Sequence, residues 1–190
     1  MAFETRPPVS AVTSLIASHP DQTVHASHYH NLALQILHNL QYQHDWTLLR
    51  IHTYSPITNT PLPRPLISGL PPHRIYVHPD DQVEELKNAA KDGEGKVERE
   101  WVLPTHLKEK WSLKRFAEVF DTVEEEPPGD EDEQNAEDET TGESRGRDLE
   151  GPPSSQKRRG GKRLLLATSG DDSTVVYYIV HDGIVKPRQN

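Results

Sequence analysis

Leu164–Val180 limits the fold more than any other part of the chain. Leu164–Thr168 is an apolar run, Ser169–Asp172 is a turn cluster, and Thr174–Val180 is seven β-branched and aromatic residues without a charge. Bounded in this way, the two runs read as strands joined by a tight turn. Asp182-Gly183 follows as a second turn signal, because this pair suits the left-handed backbone of short hairpins. Ile184-Val185 then opens one more short strand, which Pro187 stops. A strand with Val, Tyr and Ile on both faces must be covered on both faces. Left open, its edge aggregates or pairs with another chain. Either the rest of the protein or a partner supplies the cover.

The remaining sequence has little apolar material for that purpose. Of 190 residues, 33% are hydrophobic, and the mean hydropathy is −0.79, both low for one compact domain. The deficit is local. Between Glu124 and Glu150 stand 13 acidic residues and two arginines, net −11 against −9 for the whole chain, so everything else carries +2. This length and charge distribution fit one domain plus disordered segments. Because cysteine is absent, no disulfide framework or thiolate metal site is possible, which suits an intracellular protein. No apolar run has signal-peptide or membrane-span length, so a soluble, non-secreted protein is expected.

In chain order, Met1–Pro8 reads as a disordered lead and Val9–Ser18 as a short helix. Thr23 to about Gln43 is the strongest helix. Tyr29, Leu32, Ala33, Ile36, Leu37 and Leu40 recur at three- and four-residue steps, with Thr23 and Ser27 as candidate N-caps. Trp46–Tyr54 alternates as a half-buried strand. Six prolines in Ser55–Pro72 exclude a helix and a central strand, leaving Leu66-Ile67 as a short edge strand. His73–His78 is a further strand candidate, and Asp80–Asp92 a short amphipathic helix ahead of the Gly93–Gly95 turn. Val97–Leu103 alternates until Pro104, and Thr105–Trp111 reads as a helical turn. Ser112 then caps Leu113–Phe120, with Leu113, Phe116, Ala117 and Phe120 as its buried face. Glu124–Gln156 has almost no large apolar group and reads as disordered, and Lys157–Arg163 is a basic run.

Several motifs invite chemistry. His25, His28 and His30 cluster at the start of the long helix, but only the first two share a face, and a solvated or partly packed group is the better reading. Gly160-Gly161-Lys162 lacks the first glycine and the Ser or Thr of a phosphate loop, and a strand follows it where a helix is needed. Tyr178, His181 and Lys186 have the residue types of a ribonuclease trio, yet residues 178 and 181 face opposite sides of one strand. Lys157, Arg158, Arg159, Lys162 and Arg163 fit three readings equally: RNA phosphate contacts, a nuclear import signal, or a solvated run balancing the acidic segment. Asp171 and Asp172 fit plain turn chemistry first, and an acidic docking tip second. Tyr177 and Tyr178 face opposite sides of their strand, and the short supply of helices favours an interface for the pair over a fully internal core.

The segment Asp-Ser-Thr-Val-Val-Tyr-Tyr at 172–178, with Asp182-Gly183 and Pro187 before Gln189-Asn190, resembles the smallest structural subunit of eukaryotic tRNA-splicing endonuclease, the Sen-fifteen subunit. The likeness is specific over Leu164–Asn190 and looser over Thr23–Phe120, and the long insertion and proline-rich loop have a fungal style. It implies a compact α/β domain similar to the C-terminal domain of the catalytic subunits. It also implies pairing with one of those, of the Sen-thirty-four type, in a nuclear four-subunit enzyme that removes introns from precursor tRNA. Pairing of C-terminal strands would place Thr174, Val175, Val176, Tyr177, Tyr178, Ile179 and Val180 in the interface, with Asp171 and Asp172 as the acidic docking loop. Catalytic subunits use a Tyr, His and Lys trio. Lys162 stands near the lysine's place, but the Gly-rich stretch before the catalytic Tyr and His has no counterpart here.

The expectation is therefore a small mixed-sheet α/β domain formed by residues 23–122 and 162–190. A partly disordered lead (1–22) precedes it, and a disordered acidic insertion (123–161) interrupts it. Its expected function is that of a non-catalytic structural subunit, without cofactor or metal, contacting precursor tRNA through the complex. The alternative is an autonomous ribonuclease or RNA-binding module built on Lys157–Arg163.

Overall fold

The structure is a computed structural model that describes residues 9–19, 24–78, 82–83, 97–129 and 161–183. Its elements in chain order are α1 (Ala11–Ser18), α2 (Ser27–Gln43), β1 (Thr47–Tyr54), β2 (Pro61–Leu70), β3 (Glu100–His106), α3 (Leu113–Phe120), β4 (Arg163–Ser169) and β5 (Val175–His181). The strands form one sheet in the order β1-β2-β3-β4-β5. The β3–β4 pair is parallel and the other three pairs are antiparallel. This is the mixed-sheet α/β class expected from the sequence.

A helix packs on each face, and the two-residue period of the strands sorts their side chains between them. Leu32, Ala33, Ile36 and Leu40 of α2 pack with Trp46, Ile67, Val102, Leu165 and Ala167. On the opposite face, Val119 and Phe120 of α3 pack with Leu62, Leu66, Trp101, Leu103 and Leu164. Both faces of β3 are therefore covered, and its residues Glu100–Thr105 are all buried. That explains why this strand and β4 are nearly continuous in apolar residues.

Local signals placed several elements well. Ser10 Oγ accepts the Thr13 amide at 3.1 Å and starts α1. Ser112 Oγ accepts the Arg115 amide at 3.3 Å and starts α3. For α2 the boundary differs. Its N-cap is Ala26, which makes no side-chain bond, and Ser27 is already helical. Thr23 lies outside the described residues. In α3, Leu113 is 89% exposed and Ala117 is also exposed, so the buried face runs through Val119 and Phe120, with Phe116 half buried.

The proline-rich segment corrects the reading most. β2 lies between β1 and β3, although Pro61, Pro63 and Pro65 stand in it. Its ladder to β3 uses only Ile67, Ser68 and Gly69. The prolines precede that ladder, and the register with β1 shifts between His52 and Tyr54, so few backbone bonds call on the missing N–H groups. The same logic carries β3 through Pro104 to His106: beyond Val102, β2 no longer pairs with it, while β4 does. β3 also begins at Glu100, not Val97, and Thr105 belongs to it.

His73–His78 forms no strand. It crosses the start of β4 and the end of β5: Ile75 packs into the α2-side core, Tyr76 meets the His181 ring at 5.1 Å, and Arg163 lies over Tyr76 at 5.6 Å. Val123–Gly129, assigned above to the insertion, is placed against the domain. Val123 is buried, Trp101 Nε1 donates to the Glu124 carbonyl at 3.1 Å, and Arg99 Nη1 donates to the Pro128 carbonyl at 2.9 Å. Residues 1–8 and 20–22 of the expected lead, the rest of the insertion apart from Gly161, the Ile184-Val185 strand and the Asp80–Asp92 helix, apart from Gln82 and Val83, lie outside the described residues.

Candidate functional site

The two outer strands of the sheet end it differently. β1 pairs with β2 through two register shifts, and Leu48 beside the first has φ 50°, a conformation that costs a residue with a Cβ about 1–2 kcal/mol. Arg99 Nη2 donates to the Leu48 carbonyl at 3.0 Å and pins the irregularity. Such bulges blunt a sheet edge. β5 has no such device. Its register with β4 runs without a break from Arg163↔His181 to Ser169↔Val175, and among the described residues β4 is its one neighbouring strand.

Alternation splits the side chains expected at the interface. Val175, Tyr177 and Ile179 turn toward α2 and pack on its core. The Tyr177 hydroxyl donates to Asn39 Oδ1 at 2.5 Å, the His44 ring lies edge-on at 5.1 Å, and burial pushes the phenol pKa up. Val176, Tyr178 and Val180 face the α3 side. Val180 packs against the core on that side, but Val176 is 44% and Tyr178 57% exposed. The tyrosines thus take different roles, with Tyr177 an internal packing residue and Tyr178 an exposed aromatic beside a regular edge. Thr174 is exposed at the head of the strand.

The hairpin before β5 carries the acidic pair. Gly170 N donates to the Thr174 carbonyl at 2.8 Å, and Ser173 takes φ 63° to close the turn. Asp172 Oδ1 accepts the Thr174 amide at 3.0 Å and Oδ2 the Thr174 hydroxyl at 2.8 Å. These bonds hold its carboxyl below the usual range, and they are the turn chemistry expected of an aspartate there. Asp171 reaches the turn after β3, with Oδ2 at 2.5 Å from Lys108 Nζ and Oδ1 at 3.3 Å from His106 Nε2. The Lys108 bond, with the charges of Lys108 and His106, lowers its pKa. The acidic tip therefore comes already paired within the chain.

The basic candidates divide as well. Lys162 Nζ donates to the Phe120 carbonyl at 2.9 Å. Arg163, whose side chain is 13% exposed, hydrogen-bonds both carboxylate oxygens of Glu100 and meets Glu98 at 3.4 Å. Burial alone would lower its pKa, and the Glu100 and Glu98 carboxylates raise it. Both cations are engaged inside the domain, while Lys157, Arg158 and Arg159 lie outside the described residues. The histidines at the start of α2 do not converge: His25 Nε2 lies 3.3 Å from the Thr53 carbonyl, the His28 ring lies tilted against Tyr29, and His30 is buried. Among the described residues, no three metal-ligating side chains gather.

One cluster escaped the sequence reading. Arg64 of β2, 3% exposed, binds Glu109 through two nitrogens at 2.6 and 3.2 Å, and its guanidinium lies between the rings of Tyr29 at 4.5 Å and Trp111 at 5.3 Å. Arg115 lies over the same Trp111 ring at 4.6 Å. Glu109 also accepts the His106 amide at 3.1 Å. The clamp fixes the β3–α3 turn, including Lys108, against the sheet. Arg64 and Glu109 are 45 residues apart, and no sequence spacing signals such a pair.

Fold and edge together define a class: a small α/β domain whose outward features, among the described residues, are a regular strand edge and a charged hairpin tip. A cleft lined by Ile75, Glu100, Arg163 and Ile179 has room only on the scale of about one water. Within that class, the chain belongs to the Sen15 protein family, which matches residues 35–135 and 149–190. It is similar to a Neurospora crassa protein named as a probable tRNA-splicing endonuclease subunit, tsp-1. The two are 48% identical over 171 residues, covering 86% of this chain and 67% of that protein. The family resemblance carried by residues 172–190 is borne out.

Proposed function

We propose that the chain is a non-catalytic structural subunit of the tRNA-splicing endonuclease. In this reading it pairs through the outer edge of β5 with a catalytic subunit, within a nuclear heterotetramer that removes introns from precursor tRNA. The observation that carries the reading is the contrast between sheet edges. β1 is bulged, while β5 is regular and bears exposed Val176 and Tyr178. An edge of this kind is a template for a further strand, and an exposed tyrosine is a frequent anchor. Family membership and the printed name of the Neurospora relative support the choice of complex.

A structural role also fits the fate of the catalytic residue types. Tyr178 and His181 fall on opposite faces of β5 by alternation, and the Lys162 amine is taken up by a main-chain carbonyl. The test is co-expression with the catalytic subunits of the endonuclease, followed by light scattering. A stable complex of one copy of each chain, lost on Val176→Lys with Tyr178→Ala while the variant stays folded, is the expected result. A chain that stays monomeric beside those subunits, or cleaves precursor tRNA alone, sinks the reading.

A further inference from the structure

Three lysines are exposed among the described residues, Lys108, Lys110 and Lys114, and all stand within seven consecutive positions, the first two in the turn after β3 and Lys114 in the first turn of α3. Every other described Lys or Arg is at least half buried. The acid within this segment does not offset them outwardly. Glu109 turns inward to Arg64 and the His106 amide. Asp171 masks Lys108 alone. Lys110 and Lys114 are left as outward charges, while Arg115 beside them lies 4.0 Å from Glu109.

The segment is held in place. Leu107 N donates to the Ser169 carbonyl at 2.9 Å, and Glu109 N to the His106 carbonyl at 2.9 Å. Arg115 Nη1 donates to the Lys110 carbonyl at 2.7 Å, and Trp111 is covered by the guanidinium groups of Arg64 and Arg115. A fixed row of like charges loses little ordering entropy on meeting an anion, but its members repel one another until it does.

We propose that this Lys108–Arg115 ridge contacts the sugar-phosphate backbone of the RNA on which the complex acts, an assignment that rests on the function proposed above. Lysine chemistry favours RNA over a protein partner. Lysines are depleted from protein–protein interfaces, where arginine and aromatic anchors take their place, whereas phosphate contacts are made readily by point charges. Because the Trp111 faces are already occupied, no ring is offered for base stacking. The contact is therefore independent of base sequence. On this reading the RNA contact lies not at Lys162 and Arg163, whose side chains are bound within the domain, but at the turn beyond the opposite end of β3.

The test uses Lys110→Gln with Lys114→Gln, two exposed changes that touch neither the clamp nor β5. Precursor tRNA is titrated against the assembled complex from 50 to 200 mM salt, and an RNA hairpin against the full isolated chain in parallel. Assembly should be unchanged, affinity should fall, and the slope of log K against log salt should become shallower by about two, one for each lost phosphate contact. Unchanged affinity and slope would overturn the proposal. So would loss of assembly, which would make the ridge a protein contact. If the wild-type chain fails to join the complex, the subunit reading fails by itself. The isolated chain then decides the ridge: a shallower slope in the variant supports it, and equal slopes reject it.

Discussion

Replacing Glu109 with alanine removes the one carboxylate that two Arg64 nitrogens grip. Arg64 is 3% exposed and Glu109 19%, so the pair is shielded from water on the arginine side. Breaking such a pair leaves an uncompensated buried charge and costs about 3–5 kcal/mol. Arg64 also packs between Tyr29 and Trp111, so moving toward solvent would forfeit those ring contacts. The assay is equilibrium urea unfolding. With m near 2 kcal/mol/M, a cost of about 3 kcal/mol lowers the midpoint by about 1.5 M. Adding Arg64→Met should restore most of the loss, because the charge and its partner are then both gone. If Glu109→Ala alone lowers stability by less than about 1 kcal/mol, Arg64 has another route to solvation and the clamp argument is wrong.

The same pair predicts a pH dependence. Burial by itself would raise the Glu109 pKa, but the Arg64 hydrogen bond and charge, the His106 amide and Arg115 hold it below its ordinary value of 4.5. A carboxyl lowered on folding contributes stability that is complete above the unfolded value and is lost as pH falls through the folded one. Wild-type stability should therefore decline below about pH 4.5, and Glu109→Ala should lack that part of the decline. Parallel acid titration curves for the two proteins would refute the assignment.

Other changes separate core from edge. Tyr178→Ala should weaken pairing with the catalytic subunit by about 2 kcal/mol, roughly 30-fold in Kd by calorimetry, while changing the stability of the isolated chain by no more than about 0.5 kcal/mol. Tyr177→Phe should do the reverse: loss of the hydroxyl bonded to Asn39 costs about 1 kcal/mol on thermal unfolding, with pairing unchanged. Gly69→Ala should destabilise by about 1–3 kcal/mol, because a Cβ there would lie 2.7 Å from Leu49 Cδ2 and 3.0 Å from Trp46 Cε3.

What the sequence made legible was what depends on neighbours in the chain. The apolar run of β4, the turn acids Asp171 and Asp172, the β-branched run of β5 and the Ser112 cap are local, and the structure has each of them. The reading went astray where the answer depended on a distant element. Proline excludes a strand from a sheet interior only if a partner requires its N–H, and for β2 and β3 the ladders stop short of that demand.

Tyr177 and Tyr178 show the same limit at the candidate site. Alternation says that they part company, but which one is buried depends on which face receives α2. Asn39, 138 residues from Tyr177 in sequence, settles that. Strand propensity likewise cannot distinguish β1 from β5 as edges, since both runs are rich in β-branched or aromatic residues. The distinction comes from the Leu48 irregularity and from Arg99 holding its carbonyl. A small domain with two such edges exposed would risk polymerising end to end. With one edge bulged and the other regular, the pairing proposed above would confine strand addition to a single side.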